Sequence, residues 1–365
     1  MTRTRTSVAV AALAIVAMVA GVAAPIGAAP TAGPDAAGAA ASTAPVADLQ
    51  QNQSNCSFPQ TFTDAGGTEV TVENEPQEIV TLNPSAAQTL WEIGGREKVV
   101  GVSQYATYLE GAEDRTIVSN EDGTTSTEVV VDLDPDLVLA PNTIPPETVG
   151  QLRDNGLTVY QFASATSIED VYDKTERIGA LTGECQGATE TVEWMQTEID
   201  AVRENVTESD RPSVYMEFSS GWTTGAGTFQ HDVITTAGAQ NTAAEAGLEG
   251  WGEISDEQLL NQSPEFLLLL GETQVPDRQA VQSTSAVQND RIIRVDRNYA
   301  QQPAPRVVYV VQAINEAVQN YESESASQNN ESDAGNQSDG DNIPGFGGVA
   351  ALVALLSVAL FARKR

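Results

Sequence analysis

The chain is poor in several residues that site chemistry usually needs. Its 365 residues include one histidine, His231, and two cysteines, Cys56 and Cys185. A single histidine excludes His-rich metal centres and His-based catalytic arrays. Two cysteines exclude a four-cysteine zinc site and allow at most one disulfide. Lysine occurs only at Lys98, Lys174 and Lys364, and the 18 basic residues face 51 acidic ones, for a formal net charge of −33. Nucleic acid and anionic membrane surfaces require basic patches, so both are poor partners. No Gly-x-Ser-x-Gly elbow occurs, and His231 lacks a nearby nucleophile with a plausible partner. These absences point away from an enzyme and from a resident metal or cofactor.

What is present is acid, spread over every segment. In dilute salt so many like charges repel, whereas at ~1 M salt the Debye length falls to about 3 Å and the repulsion is largely screened. The distribution resembles that of a halophile's secreted protein. Residues 1–29 read as an export signal, with Arg3 and Arg5, an apolar run over 8–22, and the small residues Gly27-Ala28-Ala29. A disordered linker over 30–55 follows. At the other end, 322–343 reads as an acidic polar stalk, with no apolar residue beyond alanine from 322 to 342. Pro344-Gly345-Phe346 comes next, then an apolar run over 349–362 and Arg363-Lys364-Arg365. This tail resembles the PGF-CTERM signal of haloarchaeal surface proteins. That resemblance implies removal of the helix, attachment of the new C-terminus to a lipid, and a body held at the outer face of the cell membrane. In that compartment Cys56 and Cys185 can form a bridge tying the start of the folded region, 56–321, to its middle. Two buried free thiols are the other possibility.

Within the body, β-branched runs alternate with helical patterns. Strands are expected over 78–82, 98–102, 137–140 and 158–162, with helices over 86–93, 128–133 and 147–155 between them. The pattern resumes with strands over 213–218, 266–270 and 291–295 and helices over 230–237, 256–260 and 306–321. Strand–helix–strand spacing of this kind argues for parallel α/β packing. Between the halves lie two helical stretches, 167–181, opened by Ser167 and Asp170 as a capping box, and 187–206. In the second, Val192, Met195, Ile199, Val202 and Val206 keep one apolar stripe at spacings of 3 and 4. The expected architecture is α/β, with two parallel-sheet lobes (56–183 and 209–321) joined by one long helix (184–208), and a ligand cleft between them.

Aromatic residues make up only 5% of the chain, so their positions carry information. Tyr105, Trp222, Trp251 and Tyr299 fall in expected loops beyond strand ends, where a large, flat, mostly uncharged ligand would meet their faces. Gly225-Ala-Gly227-Thr-Phe-Gln230 is a partial dinucleotide-loop pattern that opens a helix, and its backbone donors are expected at the cleft mouth. Ile79-Val-Thr-Leu-Asn-Pro-Ser85, Val99-Val-Gly-Val-Ser-Gln-Tyr105, Leu133-Asp-Pro-Asp-Leu-Val-Leu139 and Gln302-Pro-Ala-Pro-Arg306 resemble the substrate-binding proteins of ABC importers for cobalamin, ferric siderophores and haem. The resemblance covers nearly all of the folded body. It implies an extracellular, monomeric receptor for cobalamin or another corrinoid that hands its ligand to a permease and its ATPase. Ferric siderophore or haem is the alternative ligand, and a non-transporting surface protein the alternative role. It places Tyr105, Trp222, Trp251 and Asn298 against the ligand, and Tyr299 is added as the neighbour of Asn298. Asp122 and Pro141 stand where the cobalamin binders carry tryptophan. Glu128 and Glu257 correspond to two docking glutamates, one per lobe, that pair with permease arginines; as first-turn acids they also suit helix N-termini.

Overall fold

The computed structural model describes residues 56–207, 211–218 and 221–335. The expected export signal, the whole of the 30–55 linker, the end of the stalk and the C-terminal anchor lie outside the described residues.

After a short antiparallel hairpin, β1 (Gln60–Thr63) and β2 (Glu69–Val72), the N-terminal lobe runs β3 (Ile79–Thr81), α1 (Pro84–Ile93), β4 (Val99–Val102), β5 (Thr116–Ile117), α2 (Thr127–Asp132), β6 (Leu137–Ala140), α3 (Pro146–Asp154) and β7 (Val159–Gln161). Its five strands are all parallel, in the order β5-β4-β3-β6-β7. Successive strand residues supply opposite faces: Ile79, Leu137 and Leu139 pack in one cluster, Val80, Val138 and Ala140 in another. A parallel sheet covered by helices on both sides needs such unbroken apolar strands.

The C-terminal lobe repeats the plan with β8 (Ser213–Met216), β9 (Trp222–Thr224), α6 (Phe229–Thr236), β10 (Gln240–Asn241), α7 (Thr242–Glu245), β11 (Trp251–Glu253), α8 (Asp256–Gln262), β12 (Phe266–Leu270), α9 (Gln279–Gln282), α10 (Ser285–Gln288), β13 (Ile292–Val295), α11 (Arg297–Ala300) and α12 (Val307–Gly335). Strands β10-β8-β12-β13 form a parallel sheet. Val214 and Met216 face one cluster and Tyr215, between them, the other. Helix α12 extends past its expected end at Tyr321 into the polar segment read as stalk. Its buried face, from Val307 to Val318, belongs to the C-terminal core.

Two helices lie between the lobes, α4 (Ile168–Thr182) and α5 (Cys185–Glu204). The capping box forms as expected: Ser167 Oγ accepts the Asp170 N–H, and the Asp170 carboxylate accepts the Ser167 N–H. α5 is the bridging helix, about 30 Å long for its 20 residues. Val192, Met195, Ile199 and Val202 are buried in the C-terminal core, while Ala188, nearer its start, joins the N-terminal one. α4 doubles it, with Ile168, Val171 and Tyr172 in the C-terminal core and Ile178 and Leu181 in the N-terminal core. The two helices approach closely. A Cβ added at Gly179 would fall 2.4 Å from Ala188 Cβ, and one at Gly187 would fall 1.9 Å from the Ile93 carbonyl oxygen. Cys56 and Cys185 are disulfide-bonded, with Cα atoms 5.8 Å apart, pinning the start of the body to the start of α5.

Candidate functional site

Strand order decides where a hollow can form. β3 has β4 on one side and β6 on the other, so the loops leaving the carboxyl ends of β3 and β6 diverge and open a crevice. Those loops, residues 83–85 and 141–143, form one wall together with 162–166 after β7. The C-terminal lobe supplies the facing wall from 227–230 at the start of α6, 250–251 at the start of β11, and 301–303 beyond α11. Between them is a hollow of about 600 Å³. A second groove, about 440 Å³ beside β13 and α12, is lined by the C-terminal lobe alone.

Local chemistry holds these walls in place. Asn83 caps α1, accepting the Ala86 N–H at 3.2 Å, and Pro84 opens the helix with a preset φ. Thr228 caps α6, its hydroxyl accepting the His231 N–H at 3.2 Å. Two helix N-termini, the positive ends of their dipoles, thus begin in the wall. Phe162 and Phe229 are almost fully buried there, while Trp251 is half exposed and packs its ring 5.0 Å from that of Phe218. The rest of the wall is mainly hydroxyl, amide and small apolar side chains; among the described residues it contains no Asp, Glu or Arg and a single cation, Lys174.

Below the hollow, a polar cluster joins the lobes. Lys174 Nζ donates to Ser85 Oγ (2.6 Å) and to the Pro303 carbonyl (3.2 Å). Gln88 donates to Tyr108 Oη (2.8 Å), which donates onward to Gln302 Oε1 (3.0 Å). Gln88 also accepts the Arg306 N–H, and the Arg306 guanidinium pairs with Glu92 at 2.7 Å. Burial pushes the Tyr108 phenol up to about 12, against the Gln88 hydrogen bond, so it stays a neutral donor. Burial likewise pulls the Lys174 ammonium down to about 7.

Of the residues expected at the ligand, Trp251 lines the hollow and the other four do not. Trp222 is exposed on β9, the strand paired with that of Trp251, opposite Glu253. Tyr105 is exposed in a single turn over Gly123, which a Cβ would bring 2.3 Å from its hydroxyl. Asn298 and Tyr299 sit half-buried in α11, where Tyr299 lies under Arg306 and beside Tyr309. Trp222 and Trp251 are on strands rather than in the expected loops. The strands are three residues each and pair across nearly thirty intervening residues, so no local alternation announces them. The loop 227–230 does reach the mouth, and Pro141 is in its wall. Glu128 and Glu257 are exposed in the first turns of α2 and α8, one per lobe, and neither has a partner among the described residues. Lys174 and Phe162 went unnoticed in the sequence. Lys174 had a signal: Val171, Lys174, Ile178 and Leu181 follow one another at spacings of 3, 4 and 3, on the face that α4 buries.

Among the described residues, no three His, Cys, Asp or Glu side chains group to hold a metal, and no helix is long and apolar enough to cross a membrane. Residues 79–299 match the family model described as periplasmic binding protein, and 343–365 match the PGF-CTERM motif. The chain is 39% identical over 331 residues to a cobalamin-binding protein of Halobacterium salinarum, covering 85% of this chain and 89% of that one. The periplasmic heme-binding protein RhuT of Roseiflexus sp. RS-1, solved in its apo form, is 25% identical at a TM-score of 0.59, covering 66% of this chain and 99% of that one. The periplasmic vitamin B12-binding protein BtuF of Vibrio cholerae shares the fold at a TM-score of 0.58 and 23% identity, with 67% and 97% covered.

Proposed function

This chain belongs to the periplasmic binding protein family, and from that membership we propose that it captures cobalamin or a related corrinoid and delivers it to an ABC permease and its ATPase. The chain is exported and held at the cell surface through its PGF-CTERM segment. The observation that carries the proposal is the hollow between the lobes, with aromatic faces, neutral amides and no acid in a chain of net charge −33. A corrinoid has a flat macrocycle for Trp251 and Phe162 to cover, and its edge bears carboxamide arms. Amide side chains such as Asn83, Asn142, Gln301 and Gln302 can both donate to and accept from those arms. A complete corrinoid is larger than this hollow, so part of it would stand outside, and Trp222, exposed on the strand paired with that of Trp251, is the proposed contact for that part. The name of the Halobacterium relative supports the same ligand class.

Haem fits less well. Its iron wants an axial Tyr, His, Cys or Met, and none of these lines the hollow among the described residues. Polyanionic ferric siderophores want several cations, and the wall has one. Calorimetry of the secreted body with cyanocobalamin in molar salt tests the proposal. Saturable heat at one ligand per chain is expected, and silence at micromolar concentrations would refute it.

A further inference from the structure

Charge in the hollow runs opposite to charge in the molecule. Acids outnumber bases 51 to 18 overall, yet among the described residues the wall has no carboxylate and one ammonium, that of Lys174. The contrast with Lys98 is informative. Lys98 Nζ sits 2.7 Å from Glu75 and 2.7 Å from Glu184, as a half-buried cation in an acid-rich chain should. Lys174 has no carboxylate within 4.0 Å among the described residues. It uses one N–H on a hydroxyl and one on a carbonyl, at 2.6 and 3.2 Å, and stands 5.8 Å from the Phe162 ring. An ammonium has three N–H donors, so one is left for whatever fills the hollow. A desolvated cation without a counter-charge is costly. A ligand that brings an anion relieves that cost.

On the corrinoid reading, on which this rests, we infer that Lys174 is the residue that selects complete corrinoids, by donating to the phosphodiester of the nucleotide loop. The phosphodiester carries the nucleotide loop's negative charge and stays ionised across the physiological range. Its oxygens accept charge-assisted hydrogen bonds, and the positive ends of α1 and α6, which begin in the same wall, add to the attraction. Because the pair forms inside the hollow, molar salt screens it less than it screens exposed charges.

The test measures binding of two probes, cyanocobalamin and dicyanocobinamide, the latter being the same macrocycle without the nucleotide loop. The proteins are wild type, Lys174→Gln and Lys174→Arg. Wild type should bind cyanocobalamin about tenfold to a hundredfold more tightly than dicyanocobinamide. Lys174→Gln should abolish that preference by weakening cyanocobalamin at least about tenfold more than dicyanocobinamide, and the saturable cobinamide binding that remains shows that the variant is folded. Lys174→Arg should keep much of the preference. Equal wild-type affinities for the two probes would overturn the inference without any variant. So would a Lys174→Gln protein that loses both ligands alike, the result expected of a lysine that only joins the lobes. Wild type that binds neither probe would instead overturn the corrinoid reading itself.

Discussion

Asp64 shows how a single residue in this acid-rich chain is put to structural use. Its side chain is fully buried, accepts the N–H groups of Gly66 and Thr68 at 2.9 Å, and pairs with Arg153, which also donates to the Val159 carbonyl. Burial pushes the carboxyl up, but the Thr68 N–H and Arg153 outweigh it and hold the group below its ordinary value. A lowered folded-state value means that the stabilisation is present above about pH 4 and is lost as the pH falls through the folded value. Asp64→Asn should therefore cost about 3 kcal/mol at neutral pH. In denaturant titrations, the gap from wild type should shrink on acidification. At the mouth of the hollow, Trp251→Ala should weaken cyanocobalamin binding about tenfold, since an aromatic face contributes through buried area. Asn298→Ala, outside the wall, should leave the calorimetric affinity unchanged.

At the level of elements, the α4–α5 pair governs how the lobes sit. Both helices contribute to both cores, so bending one against the other would open apolar contacts at each end. Together with the polar cluster around Lys174 and Arg306, this favours small closure on ligand. The packing leaves no room at Gly187, where an alanine would meet the Ile93 carbonyl. Gly187→Ala should destabilise by about 1–3 kcal/mol through overpacking, read as a lower denaturation midpoint. Helices α2 and α8 present Glu128 and Glu257 in their first turns. If these dock the permease, Glu128→Arg and Glu257→Arg should bind cyanocobalamin normally and fail to stimulate the transporter's ATPase. Most of the longer elements were legible in the sequence. β6 and β12 fall within their expected bounds because each is an unbroken apolar run; the apolar stripe of α5 buries from Val192 to Val202, while Val206, expected in it, lies past the helix end and is partly buried. The two-residue β5 and β10 and the β9–β11 pair were not legible, because strands that short draw their stability from neighbours distant in sequence.

For the whole molecule, charge and the disulfide set the conditions of stability. Lowering salt from about 2 M to 0.1 M lengthens the Debye length to about 10 Å, and a net charge of −33 then opposes the folded state. The thermal midpoint should fall with dilution. The Cys56–Cys185 bridge spans 129 residues, and a loop of that length stabilises by about 4–5 kcal/mol in the chain-entropy account. Reduction in molar salt should lower the midpoint by roughly 10 °C for a body of this size.

Composition and periodicity by themselves determined the compartment, the acid-dominated surface, the two α/β halves and the helix between them, because each is a local or additive property of the chain. Which side chains share the hollow was decided only in three dimensions. Trp251 enters it and Tyr105 does not; Lys174 turns inward although Asp173 and Glu176 beside it face solvent. Those outcomes depend on the order of strands around β3 and on the register of α4 between two cores. Both are set by contacts among residues far apart in sequence, which no local pattern records.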